Sequence, residues 1–305
     1  MNNFQPIIKW SGSKRSQSEE IVNHFPKKIE TYYEPFCGGA SILYKLLTTK
    51  DIEVKSFVCS DSNQDLIDLW NYIKTEKDYL KNAYRELWLT LNSIPTQQEK
   101  KVYYEHIRES FNRTRAPFLF LFLNRTCFNG LIRYNSKGDF NTSFHLNRNG
   151  IHPDKLDEII DEWSKLINNN DVIFKCCSFE EIIPNKNDFL YLDPPYAKTN
   201  GMYQGSFNNE KLFDYLSKIQ CGYALSYDGL SGKDVNTFPV PKKLYDNHIF
   251  HFRQLQASKT GSIVDLGTEY LPDGKIHKLS DTVMIFGDSH VGQHDELLLK
   301  ELMKF

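Results

Sequence analysis

Four consecutive residues, Asp193-Pro194-Pro195-Tyr196, combine a carboxylate, a stiff turn and an aromatic ring. They follow the apolar run Phe189-Leu190-Tyr191-Leu192, which predicts a strand, and so fall at the carboxyl end of a sheet, where α/β proteins gather their ligands. The prolines leave carbonyls without a local amide competitor. This set suits the activation of an exocyclic amine, a poor nucleophile because its lone pair is delocalised into the ring. If the Asp193 carboxylate and the Pro194 carbonyl accept the two N–H groups, the lone pair is freed for in-line attack on an electrophilic methyl group. Tyr196 can stack on the base. A rigid turn with an exposed tyrosine is the competing structural explanation.

A second candidate is Glu34-Pro35-Phe36-Cys37-Gly38-Gly39-Ala40-Ser41. Glycines between a strand and a helix let backbone approach a ligand, and an acidic residue ending the next strand, here Asp61, can bind ribose hydroxyls. The arrangement suits an adenosine-containing cofactor. The G-x-G-x-x-G spacing of dinucleotide sites is absent, which keeps a purely structural turn open.

Positioning these groups requires a strand at residues 32–36, a helix at 40–47, a strand at 56–60 and a helix at 66–73, a β-α-β-α unit that implies a parallel sheet. Helical runs follow at 79–91, 97–111 and 116–123, then an aromatic, glycine-containing loop or hairpin at 127–144. The α/β rhythm resumes with a helix at 153–167, strands at 172–175 and 189–192, a helix at 210–219 and a strand at 223–226. Residues 229–274 read as polar loops over one face, before a strand at 282–286 and a terminal helix at 295–303. The expected organisation is a Rossmann-like sheet, mostly parallel with helices on both faces, from residues 1–75 and 151–305. Residues 76–150 form a mainly helical insertion with a hairpin.

A chain of 305 residues fits one such domain with an insertion. A net charge of −2 excludes coating of nucleic acid by charge alone but leaves room for a local basic groove. Its candidates are Lys9, Lys14, Arg15, Arg113, Arg115, Arg125, Arg133, Lys137 and Arg148. The six cysteines contain no C-x-x-C pair, so neither a zinc site nor a disulfide framework is expected, and no metal is assigned. The N-terminus lacks a signal-peptide core and no apolar stretch reaches membrane-spanning length, which makes a cytoplasmic location the expectation.

The chain resembles the class of DNA adenine methyltransferases in which the cofactor motif comes first, the target-recognition segment next and the catalytic motif last. The resemblance rests on Lys9-Trp10-Ser11-Gly12-Ser13-Lys14, on the Phe36-to-Ser41 loop, on the Asp193 tetrad and on Asn124-Arg125-Thr126-Cys127-Phe128-Asn129-Gly130-Leu131-Ile132-Arg133-Tyr134-Asn135-Ser136-Lys137-Gly138-Asp139-Phe140-Asn141. It implies S-adenosylmethionine as cofactor, with Trp10, Lys14, Phe36, Gly38, Asp61, Ser178, Phe179 and Asp193 lining its pocket. It also implies catalysis by Asp193, Pro194, Pro195 and Tyr196 on a flipped-out base, with Tyr203 and Phe207 as neighbours of the slot. Double-stranded DNA is then the partner, faced by Asn129, Leu131, Arg133, Asn135 and Lys137. Arg133 carries a physical argument as well, since a guanidinium can bind guanine O6 and N7 bidentately. A monomer is the family expectation.

Two departures narrow the resemblance. Members reading GATC carry Phe-Asn-Val-Pro-Phe-Gly where this chain has Phe140-Asn141-Thr142-Ser143-Phe144-His145. Ser226-Tyr227-Asp228-Gly229 and residues 254–262 look more like members attached to restriction systems, which implies a cognate restriction endonuclease and leaves the recognition sequence open. The alternatives are a non-catalytic DNA-binding module that has kept the fold, or methylation of RNA adenine or protein glutamine.

Overall fold

The computed structural model describes residues 5–195, 207–227, 230–231, 234–235, 240–245, 247–252 and 283–289. In chain order it contains α1 (Ser18–Asn23), β1 (Lys28–Glu34), α2 (Ser41–Thr48), β2 (Glu53–Asp61), α3 (Gln64–Thr75), α4 (Lys77–Ser93), α5 (Gln97–Thr114) and α6 (Pro117–Thr126). There follow α7 (Pro153–Asn169), β3 (Ile173–Cys176), β4 (Phe189–Leu192), α8 (Asn209–Leu216), β5 (Gly222–Tyr227), the short antiparallel pair β6 (Leu230–Ser231) and β7 (Asp234–Val235), β8 (Asn247–Phe252) and β9 (Val283–Ser289). The expected parallel α/β sheet is present, seven strands in the order β3-β2-β1-β4-β5-β9-β8, with every pairing among them parallel.

The order reverses between β1 and β4, which makes their carboxyl ends the switch-point crevice of the sheet. Strands β4 and β5 are buried at every position, as parallel strands covered on both faces must be. Alternate residues of β4 enter different cores. Phe189 and Tyr191 join the larger cluster with α2, α3 and α7 side chains, while Leu190 and Leu192 join a smaller one with Leu212 and Leu216 of α8.

Helix starts follow local chemistry. The Asn63 side chain accepts from the Leu66 amide to cap α3, Thr96 and Glu99 form a reciprocal capping box on α5, and Pro117 opens α6. On α7, buried Leu156, Ile159, Ile160, Trp163 and Ile167 recur at helical spacing and make one apolar stripe. Helix α6 differs, with nine of its ten residues buried. It lies against α3, α4 and α5, and burial of each of its two fully buried phenylalanines, Phe120 and Phe122, contributes about 1.5–3 kcal/mol. Side chains of α4, α5 and α6 thus belong to the same core as β1 and β2.

Boundaries differ from the sequence reading in informative places. Strand β1 covers 28–34 rather than 32–36, because Pro35 begins the turn. Within residues 229–274, read from the sequence as loops, the described residues include β6, β7 and β8. The partner of β8 is β9, more than thirty residues away, so its strand character is invisible to a local composition dominated by polar residues and glycine. Residues 127–144 form an irregular hairpin that opens with a 3-10 turn at Phe128–Gly130 and pairs only through the isolated bridges Cys127–Phe144 and Tyr134–Phe140. The expected terminal helix lies outside the described residues.

Candidate active site

The turn after β1 is shaped by close approach. Gly38 has φ +47°, and a Cβ there would stand 2.3 Å from the Trp10 Nε1 atom, so only glycine lets the indole lie against this backbone. Trp70 Nε1 donates to the Gly38 carbonyl at 3.1 Å, and the Gly38 amide donates to Asp61 Oδ2 at 3.2 Å. Asp61 ends β2, and its other oxygen accepts from the Asn63 amide at 3.0 Å. Burial pushes the Asp61 carboxyl up to about 6, against the pull of the amides of Asn63, Gly38 and Ser62.

After β3, Ser178 caps the 3-10 turn Phe179–Glu181 and Glu181 returns a bond to its amide. That turn buries Phe179 against Phe36 at 5.5 Å and Phe207 at 6.0 Å between ring centroids. Phe36 and Phe207 meet edge to face at 5.7 Å, so Phe207 packs with this aromatic group. Phe36, Gly38, Asp61, Ser178 and Phe179 therefore collect at the carboxyl edge of β1, β2 and β3.

The end of β4 places Asp193 across the switch point from the Gly38 turn. Lys14 Nζ donates to both Asp193 oxygens, at 2.8 and 3.0 Å, and to the Gly12 carbonyl at 3.0 Å. The lysine side chain is 2% exposed and the aspartate 19%. An ammonium so placed favours the ionised carboxylate. Lys14 closes on the Asp193 carboxylate rather than lining a basic groove, which brings together two residues that the family resemblance had placed in one pocket although 179 positions separate them. Pro194 is buried and Pro195 half-buried, while Tyr196 and Tyr203 lie outside the described residues.

A further acidic group stands beneath the pair. Glu34 is buried at the end of β1 and accepts a 2.8 Å bond from the Tyr32 hydroxyl. Burial, with the negative charge of Asp193 nearby, pushes its carboxyl up to about 8, so Glu34 is mainly protonated at neutral pH. Sequence reading includes Glu34 in the Glu34-to-Ser41 candidate turn but assigns it no role of its own. The available signal was its parity with Tyr32, which points both side chains to one face of β1.

The basic candidates divide. Arg125 is buried, bonds the Pro6 carbonyl and has its pKa lowered to about 10 by burial, which removes it from any groove. Arg115 is half-buried on Asp65. Lys9 stands near Arg148 and Arg125, and burial followed by those charges lowers its pKa to about 8. On the hairpin, Asn129 is exposed with φ +55°, Leu131 is half-buried, and Arg133 and Lys137 are exposed. Arg133 Nε donates to Asn141 Oδ1 at 3.1 Å. The half-buried Asn135 side chain accepts from the amides of Lys137 and Asp139 at 2.8 and 2.9 Å and so builds the turn. Phe128 was not singled out from the sequence, yet it is 48% exposed and stacks on His145 at 5.7 Å. Among the described residues no group of three His, Cys, Asp or Glu could hold a metal ion, and no helix is long and apolar enough to cross a membrane.

A glycine turn after β1, a carboxylate ending β2 and an Asp-Pro-Pro turn across the switch point define a doubly wound α/β protein with a ligand edge at β1 and β4. Residues 10–257 match the family model of the D12 class N6 adenine-specific DNA methyltransferases, and the chain belongs to that family. It is similar to the Type II methyltransferase M.MjaIII of Methanocaldococcus jannaschii, with 32% identity over 238 residues, 73% of this chain and 79% of that protein. It is also similar to the DNA adenine methylases of Salmonella typhi and Escherichia coli, each 34% identical over 203 residues, 65% of this chain and 66% of theirs.

Proposed function

We propose that the chain transfers a methyl group from S-adenosylmethionine to the exocyclic amine of an adenine flipped out of duplex DNA, with Asp193 and Pro194 as the amine's acceptors. The residues at the edge fit this cofactor. Phe36 and Phe179 offer apolar faces for an adenine, Asp61 offers a carboxylate for ribose hydroxyls, and the Gly38 turn leaves backbone open beside Trp10. When bound, the cofactor supplies an electrophilic methyl on a sulfonium.

The chain's own residues do the rest. The Lys14 ammonium keeps Asp193 ionised, so that its oxygens can accept from the incoming amine together with the Pro194 carbonyl. The attacking nitrogen gains positive charge as it takes the methyl, and Asp193 is the carboxylate placed to hold the proton it sheds. Unpairing and unstacking the base costs a few kcal/mol, offset in part by stacking on Tyr196. On the DNA side, Arg133 reads a base edge in the major groove, exposed Phe128 and Asn129 meet the duplex, and Lys137, Lys9 and Arg148 meet phosphates. Residues 76–150 act as the target-recognition part of the protein. The similarity to a Type II methyltransferase spans more of this chain than that to the DNA adenine methylases, which favours a modification role beside a nuclease of the same site.

The Lys14–Asp193 pair at the end of β4, facing the Gly38 turn, carries this reading. Its test is transfer of labelled methyl to DNA by the purified chain, with modified adenines mapped by long-read sequencing. Asp193→Ala is expected to abolish transfer while retaining most cofactor binding, and undiminished transfer by that variant overturns the mechanism.

A further inference from the structure

Helix α5 turns a polar stripe toward one strand of the hairpin. Tyr104 donates to the Thr142 carbonyl at 2.9 Å, with Arg108 on the same oxygen at 3.5 Å. One turn on, Asn112 Nδ2 donates to the Phe140 carbonyl at 3.1 Å while its Oδ1 accepts from the Phe140 amide at 2.8 Å. At the end of the helix, Arg115 Nη2 donates to the Gly138 carbonyl at 2.7 Å. The bonded carbonyls belong to Gly138 in the turn and to Phe140 and Thr142 beyond it, and their donors follow one another along the helix.

Asn112 presents an amide to Phe140 just as a neighbouring strand would, and α5 takes the place of the sheet partner that this edge lacks. Register matters because a slip of one residue exchanges the faces. In the present register Phe140 and Thr142 are buried, and Asn141 faces outward to hold Arg133. A second observation points the same way. Arg115 is not glycine, yet it has φ +56° and ψ +26° at the C-cap of α5, a conformation for which glycine is preferred. Its guanidinium also meets Asp65 Oδ2 at 3.3 Å, the same oxygen that accepts the Tyr134 hydroxyl at 2.6 Å. Tyr134 precedes the turn and is the inward-facing neighbour of Arg133. Both strands of the hairpin are thus fastened from behind.

We infer that Asn112 and Arg115 are positioning residues for sequence readout, holding residues 138–142 in the one register that presents Arg133. The inference rests on the reading of Arg133 given above. Two variants test it, Asn112→Ala and Arg115→Gly, the second of which removes the guanidinium while easing the backbone. Each is expected to lower discrimination between the wild-type site and single-base variants at least tenfold, with affinity for nonspecific duplex within about twofold of wild type. Equal loss of methylation at every site, or an unchanged site preference, overturns the inference. Amide hydrogen exchange on the free protein decides independently of turnover. Exchange at residues 138–142 should accelerate about tenfold or more in Asn112→Ala, and unchanged exchange overturns the positioning role. A wild-type chain that methylates no adenine defeats the proposed function, and the exchange experiment still decides the role of Asn112.

Discussion

The edge of the sheet and the hairpin handle charge in opposite ways. At the edge, Lys14 and Glu34 are withdrawn from water and Asp61 is half-buried, each meets a fixed partner, and both carboxyls have raised pKa values. On the hairpin, Arg133 and Lys137 stand in solvent, and order comes from bonds to backbone behind them. Chemistry on an amine profits from charges whose strength is set by a low dielectric. Reading DNA needs charges that exchange water for base edges and phosphates with little rearrangement. Removing a partner should therefore be costly at the edge and mild on the hairpin.

The largest effect is expected for Lys14→Met, which removes the ammonium from both Asp193 oxygens. Without that ammonium to orient and ionise Asp193, single-turnover methyl transfer should fall by roughly 10²–10³-fold, about 3–4 kcal/mol of activation free energy. A loss under about tenfold would mean that water serves Asp193 as well as lysine does. Next is Glu34→Gln, read by urea unfolding across pH. In the wild type, the folded state retains a proton that the unfolded chain releases above about pH 4.5, so stability declines as pH rises from there to about 8. Glutamine removes that decline and should stabilise the protein by on the order of 3 kcal/mol at pH 7. An unchanged slope would show that Glu34 is ionised in the fold.

On the hairpin, Arg133→Ala should cost about 1–3 kcal/mol of discrimination at one base pair, with thermal stability within about 0.5 kcal/mol of wild type. Competition binding against single-base variants measures it, and equal weakening on all duplexes would make Arg133 a phosphate contact. The smallest effect concerns Asp61. Ribose hydroxyls bind its ionised form, so cofactor affinity should be flat above about pH 6 and weaken up to tenfold per pH unit below it. Equilibrium dialysis checks this, and Asp61→Asn should bind more weakly without that dependence.

The parallel sheet was legible because each strand-turn-helix unit announces itself locally. Asp193 was legible for the same reason, since its neighbours supply the strand and the turn. Lys14 was placed in the pocket by the family resemblance alone and Arg125 only in a candidate basic groove, because a basic residue in sequence looks the same whether it points to solvent or closes on a partner 179 or 119 residues away. The α5 stripe escaped notice because Tyr104, Arg108 and Asn112 read as ordinary polar positions of an amphipathic helix, and their partners are backbone atoms. Strand β8 escaped because a lone edge strand owes its existence to β9.

Helix α6, buried on nearly all sides, has an evolutionary consequence. A reading head with its own core could be exchanged between enzymes as a cassette, but here α4, α5 and α6 share a core with the sheet, and excising them would open it. On the proposed reading of the hairpin, new specificities should arise by point changes and small indels in residues 127–148, on a helical chassis inherited whole.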